Sequence, residues 1–308
     1  MVLAQAPTLL RIAEQAFPGR SLANVKLKAK MLAAAQGQKQ SLKPFLEPAP
    51  ETMLARVMAQ RPEMLGALIW PYQCASWKAE TRLNRIAAHY KAVDEIGGPY
   101  CFDLDDQLVV VTLDEQHAGL RVVLDQPKWF MREGGLTVNL FVGDFRAFSL
   151  AFSLWPTDQG LVGVIGGLQG RNREDALDLY RQLTKDLHGL RPRDFLLDVF
   201  RMLARRIGVQ EIHAVAQAQR HHLHPFFGAK LGDKELNPNY DAIWTDRGGT
   251  PIDADFWRLD VAPEIRDIET VKPKKRSLYR KRFAFLDSFE AAFTEGLDTA
   301  QPTRFVDT

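Results

Sequence analysis

The chain has 308 residues, a formal net charge of +2 and 46% hydrophobic side chains, the composition of a globular protein with a sizeable core. That charge is too mild to mark a nucleic-acid binder, so local clusters carry more information than the total. Cys74 and Cys101 are too few for a disulfide framework or a cysteine-rich zinc site, and they fit a reducing compartment.

The first stretch, MVLAQAPTLLRIAEQAF, places Arg11 and Glu14 where a signal sequence needs an unbroken apolar run. No window approaches the roughly 18 uncharged apolar residues of a membrane span. The expected location is the cytoplasm, at the inner face of the membrane if lipid is a partner. Residues 1–95 read as a helical N-terminal region. Leu9, Leu10, Ile12, Ala13 and Phe17 form one apolar stripe, and Met53, Leu54, Val57 and Met58 form another. Pro44, Pro48 and Pro50 place KPFLEPAPE in a loop. A further helix carries WKAETRLNRIAAHYKAV, with Leu83, Ile86, Ala87 and Tyr90 at helical spacing.

Residues 96–308 read as an α+β domain with a mostly antiparallel mixed sheet. QLVVVTL (107–113), GLRVVLD (119–125), LTVNLFVG (136–143) and AFSLAFSLW (147–155) are β-rich runs with short connections, as in a meander. LVGVIGG (161–167) closes the series and leads into a glycine turn, GGLQGRN. Two helices follow, the second opening on Pro192 and stopping at Gly208. VQEIHAVAQA (209–218) is then a strand, and a right-handed crossover sets it parallel to the strand before the helices. NPNYDAIWTD reads as a turn and short strand. KPKKRSLYRKRFAFLDSFEAAF is a basic lead-in to a C-terminal helix.

Several blocks together resemble the VirK/YbjX family of bacterial proteins: His89-Tyr90, IGGLQG, TKDLHGLRPRDFLL, AVAQAQRHH, YDAIWTDRGG and KKRSLYRKRFAFLD, across roughly residues 60–290. The resemblance implies a Gram-negative source and an association with virulence, outer-membrane remodelling and tolerance of cationic peptides. It carries over no catalytic residues.

Walker A, GxGxxG, GxSxG, HExxH and paired CxxC patterns are all missing. The order of early helices, antiparallel meander, strand, helix and parallel strand resembles the acyl-CoA N-acyltransferase (GNAT-type) fold. On that analogy two turns compete to hold a donor's phosphates: Gln169, Gly170 and Arg171 after the meander, and His188, Gly189, Arg191 and Arg193 at a helix N-terminus. Either can equally be a plain turn whose glycines supply positive φ. His89 is the candidate general base, with Arg82, Arg85 and Tyr90 beside it. His221, His222, Tyr240 and Trp244 are candidate pocket residues. No metal site is expected, because no carboxylate stands at ligand spacing and adjacent histidines diverge on a strand. Lys274, Lys275, Arg276, Arg280 and Arg282 form the densest basic patch.

These residues suggest an acyltransferase-like enzyme that takes its acyl or aminoacyl group from acyl-CoA, an acyl-carrier thioester or a similar donor. The patch would dock an acidic acyl carrier protein. The alternative is a non-enzymatic membrane-remodelling or stress factor that binds anionic lipid headgroups or a protein partner through the basic helix. Nucleic acid is not the expected partner, since the strands carry no RNP-like aromatic pattern.

Overall fold

The computed structural model describes residues 2–228, 238–262 and 267–305, with backbone alone for 2–7. The N-terminal region is helical: α1 (Val2–Ala16), α2 (Leu22–Gln36), α3 (Lys39–Leu46), α4 (Met53–Gln60), a 3-10 turn at Pro62–Leu68 and α5 (Ala79–Ile96). Ser21 and Thr52 cap α2 and α4 by accepting backbone N–H bonds from Asn24 and Ala55. The expected loop at Lys43–Leu46 is instead the second half of α3. Leu42 and Phe45 are each 2% exposed, and burying that apolar face holds a helical turn despite Pro44.

A nine-stranded sheet follows: β1 (Asp106–Thr112), β2 (Leu120–Asp125), β3 (Leu136–Val142), β4 (Phe145–Thr157), β5 (Gly160–Gly170), β6 (Val209–Val215), β7 (Thr250–Pro251), β8 (Phe256–Leu259) and β9 (Thr303–Arg304). Its spatial order is β7-β8-β6-β5-β4-β3-β2-β1-β9. All neighbours are antiparallel except β5 and β6, which α6 (Ala176–Asp186) and α7 (Pro192–Arg206) connect. The fold is therefore α+β with a mixed, mostly antiparallel sheet, as the meander and crossover predict.

Both faces of the sheet are covered. On one side Ser153 of β4 meets Tyr72 at 2.6 Å, and Trp155 packs on Trp77. On the other, Phe152 packs on Phe200 of α7, which in turn carries α9 (Pro273–Thr299) through Phe195, Phe285 and Phe289. The buried apolar residues form one cluster that includes Ile12, Ile86, Val138, Phe200 and Phe293. No described helix is long and apolar enough to cross a membrane.

The segment Asn239–Asp246 departs from the expected strand. Asn239 accepts the Ala242 N–H at 3.1 Å and starts a short helix, α8 (Tyr240–Asp246), whose Tyr240 and Trp244 are buried. A polar cap and two buried aromatics on one face outweigh the local strand preference of Tyr, Ile and Trp.

Gly296 lets α9 cross β1 closely, since a Cβ there would lie 1.9 Å from the Val110 carbonyl oxygen. Alanine favours an isolated helix over glycine by about 1 kcal/mol, but a rigid strand cannot yield to this contact. Gly296→Ala is expected to lower stability by about 1–3 kcal/mol, read as a lower urea midpoint at unchanged slope.

Candidate functional site

The stretch expected to be a glycine turn is a strand. β5 runs through to Gly170, and none of Gly163, Gly166, Gly167 and Gly170 has positive φ. These glycines supply space instead. The β4–β5 register slips between Ala151 and Phe152, which pair with Gly167 and Ile165, so Gly166 is the extra residue of a bulge. A Cβ on Gly166 would fall 2.0 Å from the Glu133 carbonyl oxygen, and one on Gly167 would fall 2.0 Å from Glu133 Oε2. Bare backbone is therefore the floor on which a second segment lies.

That segment is the link before β3. Glu133 N–H donates to Phe130 O at 2.7 Å, and Gly135 N–H donates to Phe152 O at 3.0 Å. Gln73 N–H donates to Arg132 O at 2.7 Å, and its side-chain amide lies 3.2 Å from both Glu133 O and Val164 O. Glu133 is thereby fixed with its carboxylate 3.4 Å from Gln169 Nε2.

His221 and His222 arrive from the other side. They follow β6 on a 3-10 turn, held where Ala75 N–H donates to Gln219 O at 2.8 Å and Cys74 bridges Arg220. On this turn the two rings do not diverge as they would on a strand; their centroids are 3.7 Å apart. His221 Nδ1 lies 3.6 Å and His222 Nε2 3.9 Å from Glu133 Oε1. Glu133 and His221 are buried, whereas the His222 side chain is 31% exposed and connects the cluster to solvent. Arg220 stacks over Tyr240 at 4.0 Å, and Arg132 stacks over Trp70 at 4.6 Å.

Burial pushes the Glu133 carboxyl up to about 8 against the opposing pull of Arg220. Burial, then the charges of His222, Arg132 and Arg220, hold His221 well below the ordinary histidine range. Burial and the same two arginines bring His222 down to about 4. Both shifts favour the neutral imidazole.

His89 lies elsewhere in character. It is fully buried, its Nδ1 accepts the Leu154 N–H at 3.1 Å, and a Cβ on Gly135 would fall 2.0 Å from its Nε2. At 0% exposure it faces no solvent, which corrects the expectation of a substrate-facing base: α5 turns this position into the sheet. Its neighbours are scaffold too. The Arg82 guanidinium donates to Trp77 O, Ala67 O and Trp70 O, Arg85 lies 4.0 Å over Trp155, and Tyr90 is buried beside His89. Trp244 donates to Val215 O at 2.9 Å. The Tyr240 hydroxyl lies 2.7 Å from Leu168 N and 3.2 Å from Leu168 O, so it satisfies the edge of β5 beyond the end of β6.

At the end of β5, the Tyr180 hydroxyl fills the space a Gly170 side chain would take and lies 2.7 Å from Arg171 O. The second proposed turn does contain left-handed residues, His188 at φ 53° and Gly189 at φ 81°. Arg282 of the basic helix reaches it and donates to His188 O at 3.1 Å. The HGLRPR turn and the basic helix thus line one groove of about 530 Å³, whose charged lining is Arg191, Arg201, Arg247, Lys275 and Arg282 with Asp194, Asp198 and Asp246. Asp194 lies 3.4 Å from Arg191 and 3.0 Å from Arg193, which reduces the positive field there. Arg276 is tied to Val271 O and Glu269, while Lys274, Lys275 and Arg280 are exposed.

The class that emerges is a mixed-sheet α+β protein with a largely buried Glu–His–His cluster at the open end of the one parallel strand pair among the described residues. Residues 20–295 match the family described as "Protein of unknown function (DUF535)", and the chain belongs to that family. An uncharacterized protein of Haemophilus influenzae is 28% identical over 214 residues, covering 68% of this chain and 69% of the relative. A second protein of that organism is 31% identical over 134 residues, covering 44% of this chain and 43% of its own. The "Uncharacterized protein YbjX" of Escherichia coli is 30% identical over 128 residues, covering 41% of this chain and 38% of its own. The VirK/YbjX-like resemblance of the sequence blocks is thereby supported. No solved structure matches.

Sequence reasoning missed Glu133. The signal was a pair of double glycines, Gly134-Gly135 and Gly166-Gly167, that let two backbones meet.

Burial lowers His89 from 6.5 to about 3. Stability that depends on its neutral form is full above pH 6.5 and is lost as pH falls toward 3. In His89→Gln, the slope of unfolding free energy against pH across that window is expected to fall by up to about 1.4 kcal/mol per unit. Urea unfolding at a series of pH values measures it; an unchanged slope contradicts the neutral, buried state.

Proposed function

We propose that the protein is an acyltransferase-like enzyme, moving an acyl or aminoacyl group from a thioester or comparable donor to an amine or hydroxyl. The observation that carries this reading is the unequal end of the parallel pair. β5 pairs with β6 only as far as Ile165 and Ala214, yet continues to Gly170, while β6 stops at Val215. An antiparallel meander followed by a helical crossover to a parallel strand resembles the layout of the acyl-CoA N-acyltransferase fold, and here the last meander strand outruns its parallel partner. Ligands favour such switch points in α/β sheets, and fold analogy alone gives the reaction class.

Three features support the assignment. Glu133, His221 and His222 gather at Gly166 and Gly167, just past the last β5–β6 pair, and His222 opens that cluster to solvent. The N-terminus of α7 lies at the same end of the crossover, because α7 runs back to β6, so its groove suits the donor's phosphates. Exposed Lys274, Lys275 and Arg280 offer an acidic carrier a surface beside that groove.

Mass spectrometry of the purified protein with acyl-CoA and acyl-carrier donors tests the reading. It predicts donor-dependent acyl transfer to amine or hydroxyl acceptors, with KM for a phosphate-bearing donor raised about tenfold or more in Arg282→Ala. Absence of binding and turnover across both donor classes contradicts it.

One observation favours the non-enzymatic alternative. Lys272, Lys274, Lys275, Arg280 and Lys281 are exposed at the start of α9, while Arg276 and Arg282 are half-buried. On that reading the helix binds anionic vesicles in a salt-sensitive way, and neutralising the five exposed residues abolishes both vesicle binding and cellular function. Retained cellular function in that variant rules the alternative out.

A further inference from the structure

We propose that Glu133, His221 and His222 form a binding site for one divalent transition-metal ion of the zinc class. The sequence argued against a metal because no carboxylate stood near the histidines, but the fold supplies one. One ligand atom from each of the three side chains lies within 4.8 Å of the others. The Glu133 Oε1 separations of 3.6 and 3.9 Å are too long for hydrogen bonds. Two donors that share one tetrahedral ion through bonds of about 2.0–2.2 Å lie about 3.3–3.6 Å apart, so the His221 separation matches and the His222 ring has a few tenths of an ångström to close.

The donor set fits the ion. Two imidazole nitrogens and one carboxylate oxygen are a common zinc ligand set, one that leaves a fourth position for water or substrate. Here that position would open on the side of His222, whose side chain is 31% exposed. The ligands come from separately anchored backbones, one lying on the Gly166–Gly167 floor and one fixed by Ala75 and Cys74. Gln169 Nε2, 3.4 Å from Glu133 Oε2, orients the carboxylate from behind, the outer support that metal ligands commonly have.

Arg132 and Arg220 oppose a cation. Each is held on other groups, Arg132 over Trp70 and Phe227, and Arg220 over Tyr240 with a bond to Pro238 O at 3.0 Å. Their charge weakens binding, so the site is expected to fill on metal loading and to empty on chelation. The inference concerns occupancy and stands apart from acyl transfer; it can hold whether or not the protein turns over a thioester.

The test uses the full-length protein, stripped with chelator, loaded with Zn²⁺ or Co²⁺ and passed through gel filtration. Elemental analysis is expected to give one equivalent of metal, and Co²⁺ is expected to show ligand-field absorption. Glu133→Gln and His222→Ala should bind at least tenfold more weakly, with circular dichroism reporting that they stay folded. His117→Ala, at a half-buried histidine paired with Asp186, should bind as wild type does. Failure of the wild-type protein to retain metal overturns the proposal without reference to any variant. Retention unchanged in folded Glu133→Gln and His222→Ala also overturns it.

Discussion

Two neighbouring positions without side chains, Gly166 and Gly167, set the arrangement of everything above the centre of the sheet. Ordinary strand residues would lift a crossing segment to the usual packing distance between layers. Here the Glu133 backbone and carboxylate rest in the space two Cβ atoms would occupy. The cost is local, since glycine in a strand gives up conformational entropy and side-chain packing. What it permits is a carboxylate where β5 outruns β6, within reach of two histidines that no sequence pattern places beside it. Gly135 repeats the device from the other direction, since its missing side chain leaves room for His89.

The same end of the molecule is elaborated on both faces of the sheet. On one face lies the Glu–His–His cluster. On the other, α7 and α9 form the charged groove, joined where Arg282 meets the left-handed turn at His188 and Gly189. Tyr240 holds the edge of β5 with its hydroxyl. A buried polar row also crosses the cluster's face of the sheet. Ser149, the register partner of Gln169, donates to Asn139 at 2.6 Å, and Asn139 and Arg146 both donate to Asp125. Buried polar groups joined in this way favour a unique packing, because each loses its partner if the sheet slips.

Much of the architecture was legible in the residues. The β-rich runs from 107 to 155 stand within a residue or two of the strands, because β-branched and aromatic runs bounded by turn residues report directly on a sheet. Pro192 and Gly208 mark the ends of α7 because their backbone preferences suit a helix start and stop. What was not legible were the places where one residue type has two physical uses. Glycine reads the same whether it supplies positive φ, as at Gly189, or empty space, as at Gly167. Histidine reads the same whether it opens on solvent, as His222 does, or accepts a backbone N–H in the core, as His89 does. Long-range convergence decided those cases, and Glu133 shows how little of it a single sequence discloses.

The dependence of the site on the glycine floor is most directly tested by a double-mutant cycle between Gly167→Ala and Glu133→Gly, followed by urea unfolding. The three atoms nearest to a new Cβ at 167 all belong to the Glu133 side chain, at 2.0–3.0 Å. The account predicts that Gly167→Ala alone is destabilising and that its penalty shrinks by at least about 1 kcal/mol when Glu133 is glycine. Additive effects of the two changes would contradict it.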